Sequence, residues 1–132
     1  MNGVVAHFTD GRIVKGITND FVPARDQFHI LVNGASDKAK GMEVRRDDLK
    51  ALFFVKDFEG DSRHEDLKVF DPSRPAVGRK IKVVFQDGEV LFGTTLGYQP
   101  GRPGLFLEPA DRGSNIIRCY IVSRSTKEIA FI

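Results

Sequence analysis

Ile81-Lys82-Val83-Val84-Phe85-Gln86-Asp87-Gly88-Glu89-Val90-Leu91-Phe92-Gly93-Thr94-Thr95 is the stretch whose reading decides the fold class. Two runs of strand formers flank an Asp-Gly pair, the strongest short-range signal of a β-hairpin. Gly88 suits the turn because a residue without a Cβ reaches positive φ at little steric cost. Gly93 stands five residues beyond the turn glycine and inside the second strand, where glycine marks a bend or the close approach of another backbone. A hairpin with such a bend is the start of a small sheet that curls on itself.

The same pattern stands 77 residues earlier. Val4, Ala6, Phe8, Asp10-Gly11, Gly16, Thr18, Pro23 and Arg25 align with Ile81, Val83, Phe85, Asp87-Gly88, Gly93, Thr95, Pro100 and Arg102. Without a gap, the offset still holds at Lys50 and Lys127, Leu52 and Ile129, Phe54 and Phe131, and Val55 and Ile132. Nine of the 52 pairs are identical and the others keep apolar character where strands need it, more than a chance Asp-Gly match supplies. After the hairpin each copy has a Pro-x-Arg loop and a third strand, alternating through Phe28 and Ile30 or Leu105 and Leu107. Each copy closes with two short strands, Met42–Arg45 and Ala51–Val55 in the first, Arg118–Val122 and Glu128–Ile132 in the second.

The expected architecture is therefore all-β: two tandem five-stranded, strongly bent antiparallel barrels, related by internal duplication. Residues 1–55 form the first unit and 81–132 the second. Residues 56–80 form a charged connector, which Phe58, Leu67, Val69 and Phe70 are expected to pin against the units. No long helix is expected, only one turn at Asp47–Lys50 and two along Arg63–Val69.

Composition narrows the function. The formal charge of +2 lacks the basic excess of a protein built on phosphate contacts. No apolar run approaches the roughly 20 residues of a membrane span, and Met1-Asn2-Gly3 leads into a strand without a secretory pattern, so a cytoplasmic location with no membrane partner is expected. One cysteine, Cys119, and three scattered histidines, His7, His29 and His64, give no metal-ligand spacing, so neither metal nor cofactor is expected. Asp57, Glu59 and Asp61 around Gly60 lack the full calcium-loop pattern. No nucleophile, base and orienting acid stand in a recognisable arrangement, and no enzymatic activity is expected.

The run Val4-x-Ala6-x-Phe8-x-Asp10-Gly11-x-x-Val14-x-Gly16, echoed from Ile81 to Gly93, resembles the opening of the Sm-like fold of Sm, Lsm and bacterial Hfq proteins. The resemblance implies a five-stranded bent barrel in each copy. It also implies where RNA contacts belong: an Asp and an Asn after the second strand, and an Arg-Gly pair in the last hairpin. This chain has Val22-Pro23-Ala24-Arg25, Gln99-Pro100-Gly101-Arg102 and Arg118-Cys119 instead. The stretch Leu49–Phe58 also resembles an uncharacterised bacterial domain associated with signalling proteins that carry PilZ or receiver modules, although the PilZ residues that hold cyclic dinucleotide are absent.

Pro-x-Arg occurs three times, presenting Arg25, Arg74 and Arg102 on stiffened loops as candidate ligand-binding groups. Thr18, Thr95 and Arg118 are candidates to assist them, while Asp10, Gly11, Gly16, Asp87, Gly88 and Gly93 are turn and bend residues. Of the eleven phenylalanines, Phe8, Phe54, Phe85 and Phe131 are expected in the core, and Phe53, Phe58 and Phe92 are candidates for exposure. The first expectation is a scaffold that engages a protein partner or itself through loops or strand edges. The alternative is RNA or nucleotide binding, cyclic dinucleotides included, through the loop arginines.

Overall fold

The computed structural model describes residues 2–34, 41–58, 78–110 and 115–132. They contain ten strands: β1 (Asn2–Phe8), β2 (Ile13–Thr18), β3 (Gln27–Val32), β4 (Met42–Arg45), β5 (Leu49–Val55), β6 (Arg79–Phe85), β7 (Val90–Thr95), β8 (Gly104–Pro109), β9 (Ile116–Val122) and β10 (Thr126–Phe131). Single 3-10 turns at Arg46–Asp48 and Ser123–Ser125 lead into β5 and β10. Leu67, Val69, Phe70 and the Arg63–Val69 turn lie outside the described residues. No helix among the described residues is long and apolar enough to cross a membrane.

The two hairpins form where Asp-Gly stands. Phe8 and Phe85 each donate a backbone hydrogen bond across the turn, to the carbonyls of Arg12 and Glu89, at 2.9 and 2.8 Å. Gly11 and Gly88 adopt φ of 93° and 92°. The aspartates complete each turn, with Asp10 Oδ1 accepting from the Arg12 amide and Asp87 Oδ1 from the Glu89 amide, both at 2.9 Å. These carboxylates cap the backbone, as aspartate does in turns generally.

All pairings are antiparallel, in the order β10-β6-β7-β8-β9-β5-β1-β2-β3-β4. Where two strongly bent five-stranded barrels were expected, the ten strands form one open antiparallel sheet. Within a half, the fifth strand pairs with the first and the fourth with the third, and no ladder joins fourth to fifth to close the ring. Instead β5 takes its second neighbour from the other half, pairing with β9 through Ala51 and Ile121, Leu52 and Tyr120, and Phe53 and Cys119.

That shared pairing separates two cores. Val4, Ala6, Phe28, Ile30, Leu52 and Phe54 form the first, with Tyr120 and Val122 of β9 added to it. Ile81, Val83, Phe85, Leu105 and Leu107 form the second with Cys119 and Ile121, and Ala51, Phe53 and Val55 of β5 are added there. Successive residues of a strand point to opposite faces, so β5 and β9 together are a wall with one core on each side. Phe53, a candidate for exposure, is therefore buried, and Phe58 and Phe92 are half-buried. Phe58 packs on the second core.

Gly16 and Gly93 are the close-approach positions. A Cβ on Gly16 would lie 2.6 Å from Ile30 Cγ2 and closer still to the Leu31 carbonyl oxygen; one on Gly93 would lie 2.5 Å from Leu107 Cδ2 and closer to the Glu108 oxygen. Backbone oxygen cannot swing aside as a flexible side chain does. Gly16→Ala or Gly93→Ala is expected to lower unfolding stability by about 1–3 kcal/mol, an overpacking cost, whereas Gly97→Ala, with open space around the added methyl, leaves the denaturant midpoint nearly unchanged.

Candidate functional site

The sequence candidates separate once their contacts are traced. Thr18 and Thr95 are buried, and each hydroxyl donates to a main-chain carbonyl of the next strand, His29 and Phe106 respectively, at 2.8 Å. They tie β2 to β3 and β7 to β8. Arg25 and Arg102 are exposed in matching loops, whose backbone closes on the Val22 and Gln99 carbonyls at 2.9 and 3.4 Å. Strands β9, β5 and β1 lie between the two loop-bearing hairpins in the sheet order. Arg74 falls outside the described residues.

The first Pro-x-Arg loop is supported by a residue that sequence reading missed. Arg46 is buried and sends Nη1 to the Pro23 carbonyl at 2.8 Å and to the Arg25 carbonyl at 3.3 Å, with Asp26 and Asp47 beside it. Its partner at the 77-residue offset is Ser123, so the repeat pattern passes over it.

Arg118 belongs to the seam between the halves. Its guanidinium lies 4.7 Å from the Phe54 ring centre and 4.6 Å from that of Phe106. Beneath it Phe21 meets Tyr120 at 5.3 Å and Phe28 at 5.0 Å, and Phe106 meets Tyr120 at 5.1 Å. Edge-on and tilted packing of this kind suits the ring quadrupoles, and a guanidinium over aromatic faces adds a cation–π contribution. The cluster joins β8 and β9 to the loop after β2, and Arg118 is exposed on top of it.

The opposite face of the seam is polar. Lys50 reaches out of β5 to the hairpin turn of the other half, its Nζ 2.7 Å from Asp87 Oδ2 and 3.1 Å from Glu89 Oε1, above the Phe85 ring at 4.6 Å. Burial alone disfavours the ammonium, but the hydrogen bonds to the two carboxylates outweigh it and raise the Lys50 pKa above its ordinary value. The hydrogen bond from Lys50 lowers the Asp87 pKa. His7, edge-on to Phe53 at 4.8 Å, has a lowered pKa, first from burial and then from Lys50.

Burial likewise pushes the Cys119 thiol up to about 12, consistent with an inert core residue. Among the described residues no three His, Cys, Asp or Glu side chains converge in a way that would hold a metal ion.

The ends of the sheet complete the set of accessible features. Beside β10, Phe131 and Ile132 are 39% and 60% exposed, so the expectation that Phe131 lies in the core is corrected. Its ring is touched by Tyr98 at 6.0 Å and capped by Arg79 at 3.6 Å. Leu96 is 84% exposed in the following loop. At the other end β4 presents exposed Glu43 and Arg45.

Replacing Lys50 tests the polar clamp. Lys50→Met is expected to cost about 1–2 kcal/mol, the range of a partly desolvated cation over a ring with its ion pairs. The pH signs follow from the two shifts. Asp87, depressed, contributes stability that is present above its unfolded pKa near 3.8 and lost as pH falls through the folded value; Lys50, raised, contributes stability present below 10.5 and lost as pH rises through the folded value. Denaturant melts across both limbs should be flatter for the variant than for the parent chain.

Comparison with known proteins adds a family without an activity. Neither a curated protein nor a solved structure matches the chain. One family model, described as a family of unknown function (DUF6982), matches residues 1–132, so the chain belongs to that family along its whole length.

Proposed function

We propose that the chain is a non-enzymatic cytoplasmic binding and scaffolding module, formed by duplication of one five-stranded Sm-like unit, that engages a protein partner through its strand edges. The duplication is supported by element bounds. β1, β2 and β3 start and stop 77 residues before β6, β7 and β8, and the two 3-10 turns share that spacing. The observation that carries the binding role is the open sheet, whose outermost strands β10 and β4 each have a single neighbour among the described residues. An edge strand offers unpaired amide and carbonyl groups in a row, which an incoming extended segment satisfies while side-chain pockets supply selectivity. The buried hydroxyls of Thr18, Thr95 and Ser125 all serve main-chain carbonyls.

A second reading, RNA or nucleotide binding, draws on exposed Arg25 and Arg102 at matching loop positions and on exposed Arg118. Panning the purified chain against a random peptide library and mapping the selected peptides by hydrogen exchange separates the two. Strand-edge binding predicts new protection in β10 or β4. Protection confined to the Arg25 and Arg102 loops, or tight salt-sensitive retention of homopolymeric RNA with no peptide selected, would reverse the preference.

A further inference from the structure

The β5–β9 pairing inside the chain shows what covers a fifth strand when it has a neighbour, and β10 is the fifth strand of the second half. At the 77-residue offset, Ala51, Leu52, Phe53 and Phe54 of β5 become Glu128, Ile129, Ala130 and Phe131 of β10. Inside the chain the facing residues are Ile121, Tyr120, Cys119 and Arg118. The outer side of β10 has kept part of that interface: Phe131 and Ile132 are exposed beside Tyr98. Its backbone is ready as well. Ile132 donates to the Lys80 carbonyl at 3.1 Å and Ala130 pairs with Lys82. Antiparallel alternation therefore turns the amides and carbonyls of Ile129 and Phe131 outward.

A second copy added head-to-tail through its β4 is a poor occupant. Its free β4 would have to supply Glu43 and Arg45 where β9 supplies Tyr120 and Val122. Lys127, at the position of Lys50, would meet Arg12 where Lys50 meets Glu89, and Asp10 is already paired with Arg12 at 2.8 Å. Glu128 would enter an apolar core where Ala51 does. Burying those charges opposes head-to-tail addition.

Resting on the strand-edge reading above, we infer that the β10 edge receives an antiparallel extended segment of another protein carrying an aliphatic, an aromatic and a basic residue in succession. The aliphatic residue faces Ala130, whose small side chain leaves the space that Phe53 fills in the first half. The aromatic residue faces Ile129, as Tyr120 faces Leu52. The basic residue faces Glu128, which stands where the internal wall has Ala51. No arginine is needed opposite Phe131, because Arg79 already covers that ring, as Arg118 covers Phe54.

The probe is a fluorescently labelled peptide of residues 115–124 with Cys119→Val and Ile121→Lys, compared with its Ile121→Glu counterpart by anisotropy against the full chain. The lysine peptide is expected to bind about ten-fold tighter than the glutamate peptide, the size of one reversed charge pair at a half-buried strand contact. That preference should invert for the Glu128→Lys chain, and Ala130→Arg should abolish binding of both peptides. Inversion is a readout that simple misfolding cannot produce.

Binding that is insensitive to Glu128→Lys, or lost instead with Glu43→Lys, overturns the assignment to β10 while the strand-edge reading stands. No binding of either peptide at about 1 mM overturns the assignment too, and the library experiment then judges the wider reading independently. A wild-type dimer in sedimentation that Ala130→Arg dissociates gives the edge to a second copy and also overturns it.

Discussion

The pairing of β5 with β9 is the constraint on which the rest of the structure depends. Each half is about 50 residues, a length at which a single apolar core is marginal on its own. The wall of β5 and β9 relieves this because alternate residues of both strands serve both cores. Leu52 and Phe54 face one way, Phe53 and Val55 the other, and all four are buried. The flanking strands share in this double use, since Val5 of β1 packs on the second core and Phe106 of β8 on the first. The halves are thus joined by core packing and not only by the connector.

Polar contacts at the seam fix how the halves meet. Ser125, buried, places its Oγ 2.8 Å from the Lys50 carbonyl and 2.7 Å from the Val122 carbonyl, linking the second 3-10 turn to the wall. Lys50 holds the hairpin turn of the second half, while Asn115 exchanges hydrogen bonds with the Asp57 backbone at the far end of β5. A one-residue slip of β9 would turn Tyr120 and Val122 into the wrong core. The contacts at both ends of the strand pair oppose that slip. Apolar burial supplies the driving force, and the polar pairs select one register.

Much of the fold was legible because it is local. Asp-Gly between strand formers specified both hairpins, and Gly16 and Gly93 carried the close approach of β3 and β8. What was not legible is non-local: periodicity reports that a residue is apolar and alternates, but not whether another strand lies beside it. Phe54 and Phe131 occupy matched positions, yet the first is 4% exposed and the second 39%, since β9 covers one and its counterpart is missing from the other. For the same reason Phe53 stood as a candidate for exposure while being a wall residue. In the candidate site the type of residue misled. Thr18 and Thr95 looked available because hydroxyls suit ligands, whereas their burial sends each to a carbonyl. Arg46, a core guanidinium, had no repeat partner to draw attention to it.

The two halves therefore differ most where their neighbours differ. Positions that only serve a unit's own core keep their character across the offset: Val4 and Ile81, Phe8 and Phe85, Ile30 and Leu107. Positions that reach into the neighbouring half do not: Tyr120 and Val122 on the wall correspond to Glu43 and Arg45 on β4, and Ala51 and Phe53 to Glu128 and Ala130 on β10. Charge on an exposed strand is a recurring means of preventing edge-to-edge growth. It is applied unevenly here, since β4 alternates Glu43 and Arg45 whereas β10 carries Lys127 and Glu128 at its start and closes on Ala130 and Phe131, with Ile132 following. The apolar remainder at one end is the feature on which the proposed strand-edge role rests, because charge opposes edge-to-edge pairing and apolar surface does not.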